Sequence, residues 1–168
     1  MPSYASKTQV PVERSRAEIE RTLARYGAER FAYGWDLTGA VIAFVVTTEA
    51  GQKRQVQFRL PLPNRTDPEF TEYKRGYSTY EREPSAAEKL WEQACRQRWR
   101  ALNLVVKAKL EAVEAGIATF EDEFLAYTML PDGGTVGEWL TPQLDSLYQG
   151  GGLPQLLPGP IEDAEVVE

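Results

Sequence analysis

Cations in the middle of the chain recur at spacings that place them on common faces of regular structure. Asn103 and the cations Arg96, Arg100 and Lys107 succeed one another at intervals of 4, 3 and 4 residues, which is the spacing of one helix face. Apolar and polar residues alternate through residues 53–60, so one strand face would carry Lys53, Gln55, Gln57 and Arg59. Guanidinium and ammonium groups on rigid elements suit phosphate oxygens. The pattern therefore predicts a surface for a polyanion.

The segment between these two predicted elements mixes tyrosines with cations. Residues 64–84 show no clear period, and a connection of that length is often functional. Rings interleaved with cations are typical of single-stranded nucleic-acid binding, because bases stack on the rings. The residues predicted to contact nucleic acid are Lys53, Arg54, Gln57, Arg59, Tyr73, Lys74, Arg75, Tyr77, Arg96, Arg100 and Lys107. In the competing interpretation, tyrosines such as Tyr80 cover the sheet and the arginines pair with nearby glutamates.

Charge is distributed unevenly along the 168 residues, whose net charge is -6. Residues 53–109 carry thirteen Lys or Arg and seven Asp or Glu, whereas residues 110–168 carry twelve Asp or Glu and no Lys or Arg. This asymmetry favours a basic working surface and an acidic C-terminal region. Such a region can compete with nucleic acid for the basic surface, dock onto a basic partner protein, or serve only as a solubilising terminus.

Several enzyme classes are excluded by composition. The chain has no histidine and a single cysteine, which removes Ser-His-Asp and Cys-His catalysis and the Cys or His zinc sites. Neither a P-loop nor a dinucleotide-binding glycine motif is present. Asp36 and Glu49 are the only acidic candidates near the predicted sheet for a metal-dependent nuclease. We expect no cofactor and no enzymatic activity, with the nuclease as a minor alternative.

The single cysteine, Cys95, lies in the apolar stripe between Trp91 and Trp99. A buried, inert thiol is expected there, although the neighbouring Arg96 leaves open a lowered pKa.

No apolar run is long enough to span a bilayer. A chain without cysteine pairs and without a signal sequence is expected in the reducing cytoplasm.

The residues around these sites predict an α+β fold, in which a three-stranded antiparallel meander packs against one long helix. Strands are expected over residues 31–35, 40–48 and 53–60, with one face of the sheet packed and one wet. Apolar residues from Trp91 to Ile117 recur every three or four positions and predict a helix over residues 85–115. A short N-terminal helix over residues 15–26 completes this core.

Four Ser or Thr residues followed three positions later by Glu or Asp predict capping boxes at helix starts. They are Ser15, Ser85, Thr119 and Thr135. The last two would open two C-terminal helices, with Pro142 shortening or kinking the second. The apolar residues of that second helix are Val136, Trp139, Leu140, Leu144 and Leu147. The expected organisation is a flexible segment 1–14, one domain over residues 15–148, and a disordered, Gly/Pro-rich acidic tail 149–168.

Tyr26-Gly27 ends the first predicted helix, and Phe31-Ala32-Tyr33-Gly34-Trp35 forms the first strand. These strings and the order of the elements resemble the β-β-β-α core of Rad52-type single-strand annealing proteins, many of them small and phage-encoded. The resemblance covers roughly residues 15–115. It implies a ring or filament of subunits, with nucleic acid in a groove between the hairpin and neighbouring subunits and without nucleotide hydrolysis. The acidic C-terminal third departs from that pattern and points to a regulator or binder.

The residues thus predict a non-enzymatic protein that binds single-stranded nucleic acid, and the resemblance further implies a homo-oligomer that acts in phage or bacterial recombination or replication. The hypothesis depends on strand and helix cations that converge on one groove. The alternative is a protein-protein interaction module, such as a phage-encoded modulator of a host enzyme, whose acidic C-terminal region mimics the charge of nucleic acid.

Overall fold

The fold is built on a three-stranded sheet with its most apolar strand in the centre. A computed structural model of the chain describes residues 5, 8–35, 39–48 and 51–150. The first helix and the sheet comprise α1 (Val12–Arg25), β1 (Arg30–Trp35), β2 (Gly39–Thr47) and β3 (Lys53–Pro61). The sheet order is β1-β2-β3, and both neighbouring pairs are antiparallel, as predicted. Register places Phe44 of β2 opposite Phe31 of β1 and Val56 of β3.

A second, two-stranded sheet and the remaining helices follow the first sheet along the chain. These elements are α2 (Pro68–Thr71), β4 (Glu72–Arg75), β5 (Ser78–Glu81), α3 (Pro84–Glu114), α4 (Phe120–Phe124), a 3-10 turn (Leu125–Tyr127) and α5 (Val136–Gln149). The α+β class, the meander and the long helix are therefore confirmed. None of the helices among the described residues is long and apolar enough to cross a membrane.

The core lies between one face of the sheet and the helices α1, α3 and α4. Even-numbered residues of β2 and β3, from Ala40 to Val46 and from Val56 to Leu60, are buried together with Trp99, Leu102, Val106 and Leu110 of α3. Phe124 of α4 is fully buried and meets the rings of Phe44 and Phe58 edge-on at 6.0 and 6.1 Å. Because side chains alternate along a strand, the odd-numbered residues of β3 occupy the opposite face, which we call the outer face.

Two of the four predicted capping boxes are wrong. α1 begins at Val12, directly after Pro11, so the predicted start at Ser15 is late and the side chain of Ser15 is buried inside the helix. α3 begins at Pro84, and Ser85 makes no capping hydrogen bond. Proline suits the first position of a helix because its φ is already helical and the missing N–H has no partner there. A capping Ser is therefore not required at the start of α3; at α1, Pro11 is the N-cap residue, and its carbonyl accepts from the N–H of Ser15 at 3.1 Å.

The two later capping boxes are confirmed. The Oγ1 of Thr119 accepts from the N–H of Asp122, and the Asp122 carboxylate accepts from the N–H of Thr119, both at 3.1 Å. Thr135 and Glu138 make the same reciprocal pair at 3.2 and 2.9 Å. Neither helix has a proline at its first position, so a side chain satisfies the exposed amides.

The segment 64–84, predicted as an irregular connection, is more regular than expected. It contains α2 and the hairpin β4–β5, joined by Gly76 and Tyr77 with Gly76 at φ 62°. Glycine favours this left-handed backbone, which a two-residue hairpin turn requires. All residues of β4 and β5 are exposed. The alternation of apolar and polar residues, which reveals a strand in sequence, is absent because neither face is buried.

The C-terminal helix lies on the surface. α5 continues past Pro142 to Gln149, and none of its residues is buried. Of its predicted apolar residues, Val136 and Leu140 are half-buried, whereas Trp139, Leu144 and Leu147 are exposed, Trp139 by 57%. At the other end, residues 12–14 are helical although predicted to be loose. Most of the predicted tail, residues 151–168, lies outside the described residues.

Candidate nucleic-acid interface

The predicted convergence of strand and helix cations is wrong, because the sheet separates them. Lys53, Gln57 and Arg59 lie on the outer face of β3, whereas α3 packs on the core face against Val56, Phe58 and Leu60. Arg54 lies on the core-facing side at the end of β3, and its guanidinium donates to Gln52 Oε1 at 2.6 Å. Sequence alternation separates the two faces of a strand but does not show which of them the helix covers.

The two strand cations on the outer face are each neutralised by a carboxylate. Lys53 Nζ lies 2.6 Å from Glu29 Oε2, and Arg59 Nε lies 3.3 Å from Glu138 Oε1 of α5. The hydrogen bonds from Lys53 and then Thr47 lower the pKa of Glu29. A phosphate on this face would have to compete with those carboxylates, so β3 offers little to a polyanion.

The hairpin β4–β5 presents its predicted residues to solvent. Tyr73 stacks on Tyr80 with ring centroids 5.6 Å apart, and Tyr77 at the turn is the most exposed large hydrophobic residue in the described chain. Lys74 and Arg75 are exposed and have no carboxylate partner among the described residues. Four of the predicted contact residues therefore lie together on this hairpin, on a different element from the predicted residues of α3. They are Tyr73, Lys74, Arg75 and Tyr77.

The base of the hairpin is held by Arg82. Its Nε donates to the carbonyl of Phe70 at 2.8 Å, and its Nη2 donates to the carbonyl of Glu72 at 2.9 Å. The N–H of Arg82 also donates to the carbonyl of Thr71 at 2.6 Å. These bonds attach the hairpin to α2, immediately before α3 begins.

Helix α1 runs beside α3 in the same direction, and this arrangement creates a basic groove. Gln93 donates to the carbonyl of Thr8 at 2.9 Å near one end, and Arg25 Nη2 lies 3.4 Å from Glu111 Oε1 near the other. The residues that line the groove, of about 410 Å³, are Glu18, Arg21, Thr22, Arg25, Arg100, Asn103, Leu104 and Lys107. Four cations thus meet one acid in this lining. We call it the basic groove.

Glu18 lies between the two helices and connects them. Its Oε2 accepts from Arg100 Nη1 at 2.6 Å and from the buried amide of Asn103 at 2.8 Å. Its other oxygen accepts from Arg14 Nε at 3.2 Å. Burial raises the pKa of Glu18, but the hydrogen bond and charge of Arg100, with the bonds from Arg14 and Asn103, outweigh it and hold the pKa below its usual value. Glu18 is therefore ionised at neutral pH and keeps Arg100 in place.

Two of the remaining groove cations, Arg21 and Lys107, are available to a ligand. Arg21 donates from Nε to the carbonyl of Ala17 at 3.2 Å, and its other guanidinium N–H groups make no further bond among the described residues. Lys107 is exposed and has no carboxylate partner in the described ranges. Arg25 shares its charge with Glu111 near the groove mouth. The groove thus retains positive charge after its internal ion pair is counted.

Sequence reasoning missed Arg21 and Arg25. With Arg14 and Glu18 they recur along α1 at intervals of 4, 3 and 4 residues, the same spacing that singled out Arg100, Asn103 and Lys107. The signal was present, but a stripe on one helix does not reveal that it faces a stripe on another. Arg96, one turn before Arg100, does not join the groove; it contacts Glu92 at 3.6 Å and Gln93 at 2.8 Å.

Metal or thiol chemistry finds little support in the described part of the chain. No three His, Cys, Asp or Glu side chains gather there in a way that would hold a metal ion. Asp36 and Glu49, the nuclease candidates, lie outside the described residues. Cys95 is buried, as predicted, and burial raises the pKa of its thiol despite the charge of Arg96. A protonated, buried thiol is a poor nucleophile.

Comparisons with family models, with curated proteins and with solved structures found no match to this chain. The geometry of its own residues is therefore the basis for the function proposed below.

Proposed function

We propose that this protein binds single-stranded nucleic acid, with phosphates held in the basic groove rather than on β3. The observation that carries the proposal is the meeting of Arg21 and Arg25 from α1 with Arg100 and Lys107 from α3, in a lining whose one acid is Glu18; Glu111 pairs with Arg25 near the groove mouth. Flexible cations on two rigid helices suit the phosphates of a strand that passes between them. Tyr77, Lys74 and Arg75 on the exposed hairpin add rings and charge of the kind that such proteins use.

Fluorescence anisotropy with a labelled oligothymidine, measured at several salt concentrations, tests the proposal. Affinity should fall with salt by a slope of about -0.7 in log K per phosphate neutralised. Reversing both unpaired groove charges, in the variant Arg21→Glu/Lys107→Glu, should weaken binding at least about tenfold and make the slope shallower. Adding a complementary strand to the same assay tests the annealing that the resemblance implies.

A matched control separates a local groove from a general charge effect. Arg30 and Arg98 are exposed and have no carboxylate partner among the described residues, and Arg98 projects from α3 away from Arg100. The variant Arg30→Glu/Arg98→Glu changes net charge by the same amount and should bind within about twofold of the wild type. Equal losses in both variants, or no binding at low salt, would contradict the proposal. The anisotropy is also measured with a chain that ends at Gly150. The charged residues of 151–168 are all acidic, so they could compete with the oligonucleotide for the groove.

A protein-protein interaction module is the second candidate, and the exposed face of α5 favours it. Trp139, Leu147 and Tyr148 are 57%, 46% and 61% exposed, and the helix also carries Glu138 and Asp145 but no cation. An apolar patch with acidic neighbours suits a partner whose surface is apolar and basic, or a second copy of this chain.

Sedimentation and affinity capture with the variant Leu144→Glu/Leu147→Glu test this second candidate. A dimer or specific partner that forms with the wild type and with the groove variant, but not with the α5 variant, would support it. Identical behaviour of all three proteins would count against it.

A further inference from the structure

A second concave site adjoins the basic groove at the N-terminal half of α3. It is a cleft of about 600 Å³, a size typical of sites for small ligands, which span roughly 300–1,000 Å³. Its aromatic walls come from three elements, with Tyr33 and Trp35 on β1 and Trp91 and Trp99 on α3. Arg16 of α1 and Arg96 of α3 also line it. We call it the aromatic cleft.

Three aromatic rings of the cleft pack in a row that ends at an exposed indole. Trp99 is buried and lies 5.5 Å from Tyr33, which in turn lies 5.6 Å from Trp35, measured between ring centroids. Trp35 is 72% exposed at the end of the edge strand β1. A large, exposed indole supported by a packed ring offers a free surface on which another planar ring can stack.

Two arginines and two glutamates, Glu13 and Glu92, line the cleft; Arg96 contacts Glu92 at 3.6 Å, whereas Arg16 forms an ion pair with neither glutamate. The Cζ of Arg16 lies 3.4 Å from the centroid of Tyr33, so this cation already occupies the ring face that a foreign ammonium group would use. Arg16 has no carboxylate partner among the described residues, which leaves its N–H groups able to donate. A planar ligand that is rich in acceptors and attached to an anion satisfies both the rings and the arginine.

The indole of Trp91 is held in position at the mouth of the cleft. Its Nε1 donates to the carbonyl of Pro63 at 2.9 Å, and the Arg65 guanidinium carbon lies 5.2 Å from its ring. A ring fixed in this way loses little freedom when a ligand stacks on it.

The cleft and the groove follow one another along α3. Arg96, which lines the cleft, lies one turn, about 5.4 Å, before Arg100, which lines the groove. On α1, Arg16 and Arg21 are five positions apart, about 140° around the helix, so they face different sides of α1. A strand that follows α3 from Arg100 towards Arg96 would bring a base next to a groove phosphate to the edge of the cleft.

We infer that the aromatic cleft is a nucleobase site, in which a base of the bound strand stacks on Trp35 and accepts hydrogen bonds from Arg16. This inference rests on the proposed function, since the groove supplies the phosphates. It assigns Trp35 and Arg16, which composition and spacing did not single out, to recognition of the base.

Tryptophan fluorescence can report on this cleft alone. The chain has four tryptophans, and in the variant Trp139→Phe the remaining three all line the cleft. The full-length Trp139→Phe protein is titrated with oligothymidine and with an abasic phosphodiester strand of equal length, while anisotropy of labelled strands records binding. Oligothymidine should quench the fluorescence and bind more tightly than the abasic strand, which should bind without quenching.

A variant of the exposed ring provides the decisive comparison. Trp35→Ala, in the same background, should lose affinity for oligothymidine by about 5- to 150-fold, the range for one base–aromatic stack, and keep its affinity for the abasic strand. Arg98→Ala, which changes an exposed residue of α3 that lines neither the groove nor the cleft, should change neither. Circular dichroism should give the same spectrum for Trp35→Ala as for its parent, which checks that the variant is folded.

The outcomes distinguish this inference from the proposed function. If the abasic strand binds as tightly as oligothymidine, or Trp35→Ala weakens both strands equally, the base site is refuted while the groove proposal stands. If tetramethylammonium changes the fluorescence and oligothymidine does not, the nucleobase site is also refuted, and the cleft binds cations instead. If neither strand binds at low salt, both proposals fail.

Discussion

Arg100 of α3 and Glu18 of α1 join the two walls of the basic groove, with Nη1 and Oε2 2.6 Å apart. Both side chains are only about one quarter exposed, 28% for Arg100 and 26% for Glu18. The same carboxylate oxygen accepts from Asn103, which is buried. One acid thus fixes the position of two polar residues of α3 and sets the charge that a ligand in the groove meets.

The variant Glu18→Gln should be less stable than the wild type at neutral pH. Loss of charge-assisted hydrogen bonds at a half-buried site costs about 1–2 kcal/mol. The pKa of Glu18 is lower in the folded chain than its ordinary value of 4.5. The ionised carboxylate therefore contributes to the free energy of unfolding above pH 4.5, and this contribution is lost as the pH falls through the folded pKa. Urea unfolding at pH 7 and in strong acid should show a difference that disappears in acid.

A matched variant, Glu20→Gln, controls for the removal of a charge from α1. Glu20 is exposed and makes no ion pair among the described residues. It should change the free energy of unfolding by less than about 0.5 kcal/mol. A Glu18→Gln difference that persisted unchanged in acid would contradict the assigned role of the carboxylate.

The same Glu18→Gln variant should bind oligothymidine more tightly, although it is less stable. It removes the single acid that lines the groove and releases Arg100 for a phosphate. An increase of about two- to tenfold at low salt is expected, with a steeper salt dependence, because one more cation is available. Anisotropy measures both quantities, and Glu20→Gln again serves as the control. Weaker binding by Glu18→Gln would show that the strand does not enter the groove.

Ser15 should be replaceable by alanine with a gain in stability. Its Oγ is fully buried and has no hydrogen-bond partner among the described residues. Removing an unsatisfied hydroxyl and introducing a better helix former should stabilise the fold by about 1 kcal/mol. If Ser15 were the cap that its S-x-x-E pattern suggests, the substitution would instead cost about 1 kcal/mol. The sign of the change in urea unfolding decides between the two placements.

The hairpin β4–β5 should be the least protected part of the described sheets. Its residues are all exposed, and isolated two-stranded hairpins are marginally stable. Hydrogen exchange followed by mass spectrometry should show faster exchange there than in β2. Arg82→Ala should accelerate it further, because Arg82 holds the carbonyls of Phe70 and Glu72. Exchange in the hairpin as slow as in β2 would refute this account.

Cys95 should react slowly with thiol reagents in the folded protein. It is 7% exposed, and burial raises the pKa of its thiol. Reaction with a chromogenic disulfide at neutral pH should be at least about tenfold slower in native buffer than in denaturing urea. Complete labelling within the mixing time under native conditions would mean that the cleft around Cys95 opens readily.

Local pattern was enough to predict the elements that bury one side. β2 is a run of β-branched and aromatic residues, and β3 alternates from Val56 to Leu60, so each shows the period that burial imposes on a strand. The apolar positions of α3 recur every three or four residues for the same reason. The hairpin β4–β5 has no buried side and so carries no such period.

Helix starts were predicted less well, because a capping pattern states only what a side chain is able to do. Thr119 and Thr135 cap their helices, whereas Ser15 and Ser85 lie beyond starts that Pro11 and Pro84 set. The local string is alike in all four. At α3, Pro84 occupies the first helical position, where its missing N–H needs no cap, and at α1 the N-cap is Pro11, so that Ser15 already donates its N–H to the Pro11 carbonyl inside the helix.

Taken by itself, the chain determined which residues share a face, since helix and strand periods are local properties of the backbone. It showed Arg100, Asn103 and Lys107 on one side of α3, and Lys53 and Arg59 on one side of β3. Only tertiary structure decided which faces meet. Burial of the even-numbered side of β3 turned its cations away from α3, and the packing of α1 beside α3 brought Arg21 and Arg25 to the helix cations instead. Such contacts join residues about eighty positions apart, and no local period records them.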